Sequence, residues 1–217
     1  MVVPRLPGHG KVDRNTTALA RVPRVAYLAT TNEAIDIARG AGEAVAVLGI
    51  SIGGAFAAWH ALHRDDIARA IPIAPLFGIR HLPVPADRLL VRALETVPNA
   101  FIPWDPRGDG SQIPVYGYPR FATRALAATL RIGLDVERRS HAAVPRGEIV
   151  VVLNAAEPAC ENAIATSIVA RLARARTGSA RAIVWNDMPP MHDIVDPTNP
   201  HGRTDLVYPR LIEEIER

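Results

Sequence analysis

Val45-Ala46-Val47-Leu48-Gly49-Ile50-Ser51-Ile52-Gly53-Gly54-Ala55 decides the reading of this chain. Its first residues form a short apolar run rich in valine, with the length and composition of a buried strand. Gly49-Ile50-Ser51-Ile52-Gly53 then gives Gly-x-Ser-x-Gly, and residues 55–62 read as a helix because alanine and leucine dominate and no proline interrupts them. Strand, tight turn, serine, helix is the context of a nucleophile elbow. The turn demands small neighbours, which gives Gly49 and Gly53 a use. It also sets the Ser51 hydroxyl at a helix N-terminus, where free N–H groups and the helix dipole favour developing negative charge. The Ile52 N–H is the expected oxyanion donor. A serine that merely caps a glycine-rich turn fits the bare pattern as well, and the flanking elements favour the nucleophile. A nucleotide loop fits poorly, since there is no G-x-G-x-x-G and no lysine follows the glycines.

The rest of the chain bounds this reading. At 217 residues it fits one domain with a full core. A composition of 48% hydrophobic and 22% charged residues is ordinary for a globular protein. Cys160 is the single cysteine, which excludes an intrachain disulfide and agrees with a reducing, cytoplasmic setting. No apolar run reaches membrane-spanning length, so stable membrane insertion is not expected. The net charge of +3 does not point to nucleic acid: Lys11 is the only lysine, and the arginines are scattered among acids and alanines.

Along the chain, residues 32–39 have helical spacing, 15–27 are poorly periodic, and 67–74 form a second apolar strand despite Pro72. Residues 76–145 are rich in proline and hold Phe77, Phe101, Trp104, Tyr116, Tyr118 and Phe121, with 120–134 as the one clear helix. They read as an insertion that covers a site. Alternation then resumes with strand 148–153, helix 158–175, strand 181–185, a long Pro/Asp/Asn loop at 188–202 and a closing helix at 205–216. Strands alternating with helices imply a mostly parallel sheet covered on both faces, with chemistry at the carboxyl ends of its strands.

A serine nucleophile needs a base, and the base an orienting acid. Of the seven histidines, His60 and His63 sit on the helix after the elbow, His81 and His141 in or beside the insertion, and His9 in the N-terminal loop. His192 and His201 follow the last strand, and the order Ser, acid, His selects these two. His192 is preferred because it follows strand 181–185 closely enough to reach back over the sheet. One of its ring nitrogens is expected within hydrogen-bond reach of the Ser51 hydroxyl, with some loosening allowed.

These residues together resemble an α/β-hydrolase of the serine esterase and monoacylglycerol-lipase type. Arg5-Leu6-Pro7-Gly8-His9-Gly10 is similar to the family's Pro-Gly-His-Gly loop, and 49–54 to its elbow. Residues 70–75 resemble the strand leading into its lid, 151–157 the strand bearing its acid, and Pro190-Met191-His192-Asp193-Ile194-Val195-Asp196-Pro197 its histidine loop. The resemblance implies an α/β fold of mostly parallel sheet with helices on both faces and a lid insertion. It implies a single domain over 1–217, with a core at 1–75 and 146–217 and the lid at about 76–145. It assigns Ser51 as nucleophile, His192 as base and Glu157 as the acid, where the family usually has Asp; Glu161 is the reserve.

The implied activity is cleavage of carboxylic esters of apolar acyl groups, with a small apolar ester as substrate and no metal or organic cofactor. His60 and His63 are three apart but lack an acidic or cysteine partner nearby in sequence. The family's His-Gly oxyanion loop and a strand beside the elbow strand lie upstream of the Pro-Gly-His-Gly motif. The expectation is therefore an N-terminally truncated sheet whose elbow strand, apolar at every position, lacks one partner. Such a chain would be poorly soluble or pair this edge with a second copy as a homo-oligomer. A non-catalytic or remnant hydrolase-like fold binding an apolar ligand or partner is the alternative, and transfer of the acyl group to an acceptor other than water is a third.

Overall fold

The computed structural model describes residues 1–104, 117–199 and 202–217. After a 3₁₀ turn at Ala18–Arg21 come α1 (Arg24–Ala41), β1 (Ala46–Ile50), α2 (Ile52–Ala61), β2 (Arg69–Ile73) and α3 (Val84–Thr96). They are followed by β3 (Phe101–Pro103), β4 (Arg120–Ala122), α4 (Thr123–Arg139), β5 (Glu148–Asn154), α5 (Asn162–Ala175), β6 (Ala180–Trp185) and α6 (Thr204–Glu216). Four strands form one parallel sheet in the order β1-β2-β5-β6, and β3 and β4 form a separate antiparallel pair. This is the α/β architecture expected from the alternation.

Strand periodicity explains how the sheet is covered. Along β5, Ile149, Val151 and Leu153 enter one core cluster, with Ala55 and Ala58 of α2 and Ile164, Ile168 and Leu172 of α5. Val150 and Val152 face the other way, against Val207 and Leu211 of α6 and Ile194 of the preceding loop. Side chains alternate across a strand, so an apolar residue at every position serves two faces. In β1 the same composition has a different outcome. Val45 is buried, but Ala46 and Leu48 are exposed, and β1 is an edge strand paired only with β2. The expected cover on both faces is absent from β1.

Several elements differ from the sequence reading. α1 begins at Arg24 and not at 32, just after Pro23, so part of the segment read as aperiodic is helical and buries Tyr27. α5 begins at Asn162 and not at 158; Glu161 caps it by accepting the Ala163 N–H at 3.1 Å, and residues 158–161 form the turn before it. Residues 76–145 hold α3 and the β3–β4 pair as well as α4. Pro83 and Pro85 lie at the start of α3, where a missing N–H costs least. α3 and α4 pack through Val91, Leu130 and Leu134. Tyr116 lies outside the described residues. Among the described residues, no helix is long and apolar enough to cross a membrane.

The turn from β1 into α2 depends on glycine, although not at both predicted positions. A Cβ at Gly49 would lie 2.4 Å from the carbonyl carbon and oxygen of Gly53, whereas a Cβ at Gly53 would meet nothing. The second tight position is Gly54, where a Cβ would come within 3.1 Å of Gly49 O, Ile73 O and Pro75 Cα. Gly49→Ala forces backbone against backbone, so it should cost about 3 kcal/mol or more, whereas Gly53→Ala should be close to neutral. Urea unfolding of the two variants checks this contrast, and equal losses would contradict it.

Candidate active site

Ser51 lies between the last residue of β1 and the first of α2, with φ 55° and ψ −115°. A non-glycine residue rarely holds this conformation, and the surrounding bonds impose it. The Ser51 N–H donates to Ile73 O at 2.8 Å, and its carbonyl accepts from the N–H groups of Ala55 and Leu76 at 3.0 Å each. The elbow is thus tied to the end of β2 and to its own helix. Ser51 is half-buried. Ile52 is the first residue of α2, where the backbone N–H has no acceptor within the helix.

Glu157 and His192 meet at the same carboxyl edge of the sheet. Glu157 follows β5 and is 2% exposed; His192 lies in the loop after β6. His192 Nδ1 is 2.7 Å from Glu157 Oε1, which also accepts the N–H groups of Ala159 at 2.8 Å and Cys160 at 3.3 Å. An acceptor-only carboxylate at Nδ1 assigns the ring proton to that nitrogen, which leaves the lone pair on Nε2. Among the described residues the Ser51 hydroxyl forms no hydrogen bond, to His192 or to any other group. The expected hydrogen bond between His192 and the Ser51 hydroxyl is therefore not made, and the pair that the structure does bring together is His192 with Glu157.

Glu161, the reserve acid, is committed elsewhere. Its Oε2 accepts the His81 N–H at 2.8 Å and its Oε1 that of Ala163, and these backbone donors hold its carboxyl below the usual range. It lines a cleft of about 480 Å³ with His81, Glu137 and Arg171, which includes neither Ser51 nor His192. His201 lies outside the described residues. His9 stacks on Tyr118, whose hydroxyl donates to Gly8 O at 3.0 Å, so the Pro-Gly-His-Gly loop packs against the chain entering β4.

Sequence reasoning missed Asn154, the last residue of β5, which is 1% exposed. Its Nδ2 donates to Pro189 O at 2.8 Å and Met191 O at 3.0 Å, and its Oδ1 accepts the Ala156 N–H at 2.9 Å. One side chain therefore sets the backbone on either side of the Glu157–His192 pair. The available signal was an amide closing a run of valines, since a polar residue buried at a strand end needs partners.

His60 is a core residue and not part of this site. It is 1% exposed, and its Nε2 lies 2.7 Å from the Thr31 hydroxyl, which itself donates to the Tyr27 carbonyl at 3.0 Å. The ring therefore carries its proton on Nε2, and Nδ1 is buried without a partner. Burial, helped by the Arg64 charge, lowers its pKa from 6.5 to about 4. The unfolded chain takes up this proton first, so His60 favours folding above pH 6.5 and the contribution is lost as pH falls through about 4. Asp87, raised to about 6 by burial, works the other way: its contribution is present below 3.8 and lost as pH rises through 6. Relative to wild type, His60→Gln should therefore flatten the fall in stability between pH 7 and about 4.5 by roughly 2–3 kcal/mol. Urea titrations at the two pH values measure it, and parallel curves would remove the neutral assignment.

Comparison with known proteins gives the fold. No protein-family model and no curated protein sequence matches the chain. Solved structures do. One, reported with the metagenome-derived lipolytic enzymes LipS and LipT, matches with a TM-score of 0.71 at 16% identity, over 98% of this chain and 80% of that one. A soluble variant of monoglyceride lipase from Saccharomyces cerevisiae matches at 0.71 and 10% identity, over 96% and 73%. The Paleococcus ferrophilus monoacylglycerol lipase matches at 0.65 and 12% identity, over 88% and 74%. The chain has the α/β-hydrolase fold, the fold of these lipases.

Proposed function

We propose that the protein is a serine hydrolase that cleaves carboxylic esters of apolar acyl groups through an acyl-enzyme. The observation that carries this reading is the strained Ser51 at the N-terminus of α2, on the same carboxyl edge of the sheet as the 2.7 Å Glu157–His192 pair. Ser51 Oγ attacks the ester carbonyl while His192 Nε2 takes its proton. The Ile52 N–H holds the oxyanion, Glu157 keeps the ring proton on Nδ1 and stabilises the imidazolium, and His192 returns its proton to the leaving alcohol. Water then repeats the sequence on the acyl-enzyme. The apolar substrate class is taken from the lipases that share the fold and from Ile102 and Trp104, exposed between α3 and α4. A fluorophosphonate probe should label the protein at Ser51 by peptide mapping, and 4-nitrophenyl esters of increasing acyl length should compete. Absence of label, or label at another serine, would sink the proposal.

A further inference from the structure

Beside the Glu157–His192 pair lies a group that the proposed chemistry does not use. Cys160, three residues after Glu157, is 4% exposed and free of any disulfide. A Glu157 carboxylate oxygen, Cys160 Sγ and a His192 ring nitrogen all lie within 4.8 Å of one another. Glu157 Oε2 is buried and has no hydrogen-bond partner. We propose that Glu157, Cys160 and His192 form a binding site for a borderline-soft divalent cation, zinc being the type case, and that occupancy switches the hydrolase off.

The donor set selects the ion. One sulfur, one imidazole nitrogen and one carboxylate oxygen suit zinc and disfavour magnesium and calcium, which require oxygen shells. Zinc–ligand bonds of about 2.0–2.3 Å put tetrahedral donors about 3.3–3.8 Å apart, so donors as far as 4.8 Å apart must close by no more than about 1.5 Å, while the 2.7 Å contact between Glu157 Oε1 and His192 Nδ1 must open by about 0.6 Å. His192 supplies the entry path, because its side chain is 28% exposed while that of Glu157 is 0%. The unsatisfied Oε2 gains a partner in the ion. Desolvation and the Glu157 charge raise the Cys160 thiol, so it is inert as a free nucleophile and must give up its proton to bind. One proton therefore goes to solvent for each ion taken up, and binding strengthens as pH rises.

Inhibition follows from the imidazole. Glu157 faces Nδ1, so that nitrogen is the donor on the cluster side. When the metal takes the Nδ1 lone pair, the ring proton resides on Nε2, and His192 has no lone pair left to accept the Ser51 proton. This consequence rests on the proposed function, whereas the binding does not.

The test uses zinc and cobalt(II) on the full chain and on Cys160→Ser. In competition with a chromophoric chelator, the wild type should take up one zinc ion about 100-fold more tightly than the variant. Cobalt should give a thiolate-to-metal charge-transfer band in the wild type only. Zinc should abolish ester hydrolysis by the wild type, EDTA should restore it, and Cys160→Ser should keep its basal rate and resist zinc. Equal affinity in both proteins, no thiolate band, or equal inhibition of both would overturn the site. Tight zinc binding with the band, in a chain that neither hydrolyses esters nor reacts with the fluorophosphonate, would retain the site and remove the proposed function.

Discussion

Ser51→Ala is expected to lower ester hydrolysis by about 10⁴-fold or more and to abolish fluorophosphonate labelling, with folding unchanged. The methyl group occupies the same φ of 55° and leaves the bonds to Ile73, Ala55 and Leu76 in place, since all of them use backbone atoms. Ser51→Gly should be equally inactive, but it should also be more stable. Glycine relieves strain of about 1–3 kcal/mol at this conformation and loses about 0.5–1 kcal/mol to the freedom of its unfolded chain, so a net gain of about 1 kcal/mol is expected. The pair of variants separates two uses of the position. A serine that only capped α2 would hold no strained backbone and govern no turnover; removing it would cost stability and leave hydrolysis intact. Urea unfolding beside 4-nitrophenyl ester turnover reads both quantities, and retained turnover in Ser51→Ala would end the nucleophile assignment.

The elbow was legible because its signals are local. A valine-rich run, a glycine whose Cβ has nowhere to go, and an alanine-rich helix lie within about twenty residues, and each rule points the same way. Even there the motif misplaced one constraint: the second tight contact is at Gly54, set by the Ile73 carbonyl and Pro75 of a neighbouring strand end. α3 was obscured because residues 76–145 read as a proline-rich insertion, although Pro83 and Pro85 lie in the first turn, where proline does not break a helix. β3 and β4 are three residues each and pair across a segment of the chain, so neither carries a periodicity of its own. β1 shows the limit of composition: an all-apolar strand reads as buried on both faces, yet Leu48 is exposed because strand order, which sequence does not show, puts β1 at the edge. The site followed the same division. Chain order narrowed the base to His192 and His201, and the family resemblance supplied Glu157 with Glu161 in reserve, but Asn154, which fixes the loops bearing Glu157 and His192, and Cys160, which lies beside them, become visible only when β5 and β6 pair.

The choice between two acids four residues apart gives the second large effect. Glu157→Gln should lower kcat/KM by about 10²–10⁴-fold, while Glu161→Gln should leave it within about 2-fold and cost about 1 kcal/mol of stability. At Glu157 the Oε1 atom accepts three donors, from His192, Ala159 and Cys160, whereas Oε2 has none. A glutamine therefore keeps its oxygen at the three donors and turns its amide toward the empty side. The Nδ1 tautomer is preserved, and what is lost is the negative charge facing the imidazolium that forms as Ser51 attacks. Glu161 accepts the Ala163 N–H on one oxygen and the His81 N–H on the other, so a glutamine oxygen keeps one of these bonds and the other is lost. Steady-state ester hydrolysis by the two variants decides between them. A collapse of activity in Glu161→Gln, with Glu157→Gln close to wild type, would transfer the orienting role to the residue that this geometry assigns to the helix cap.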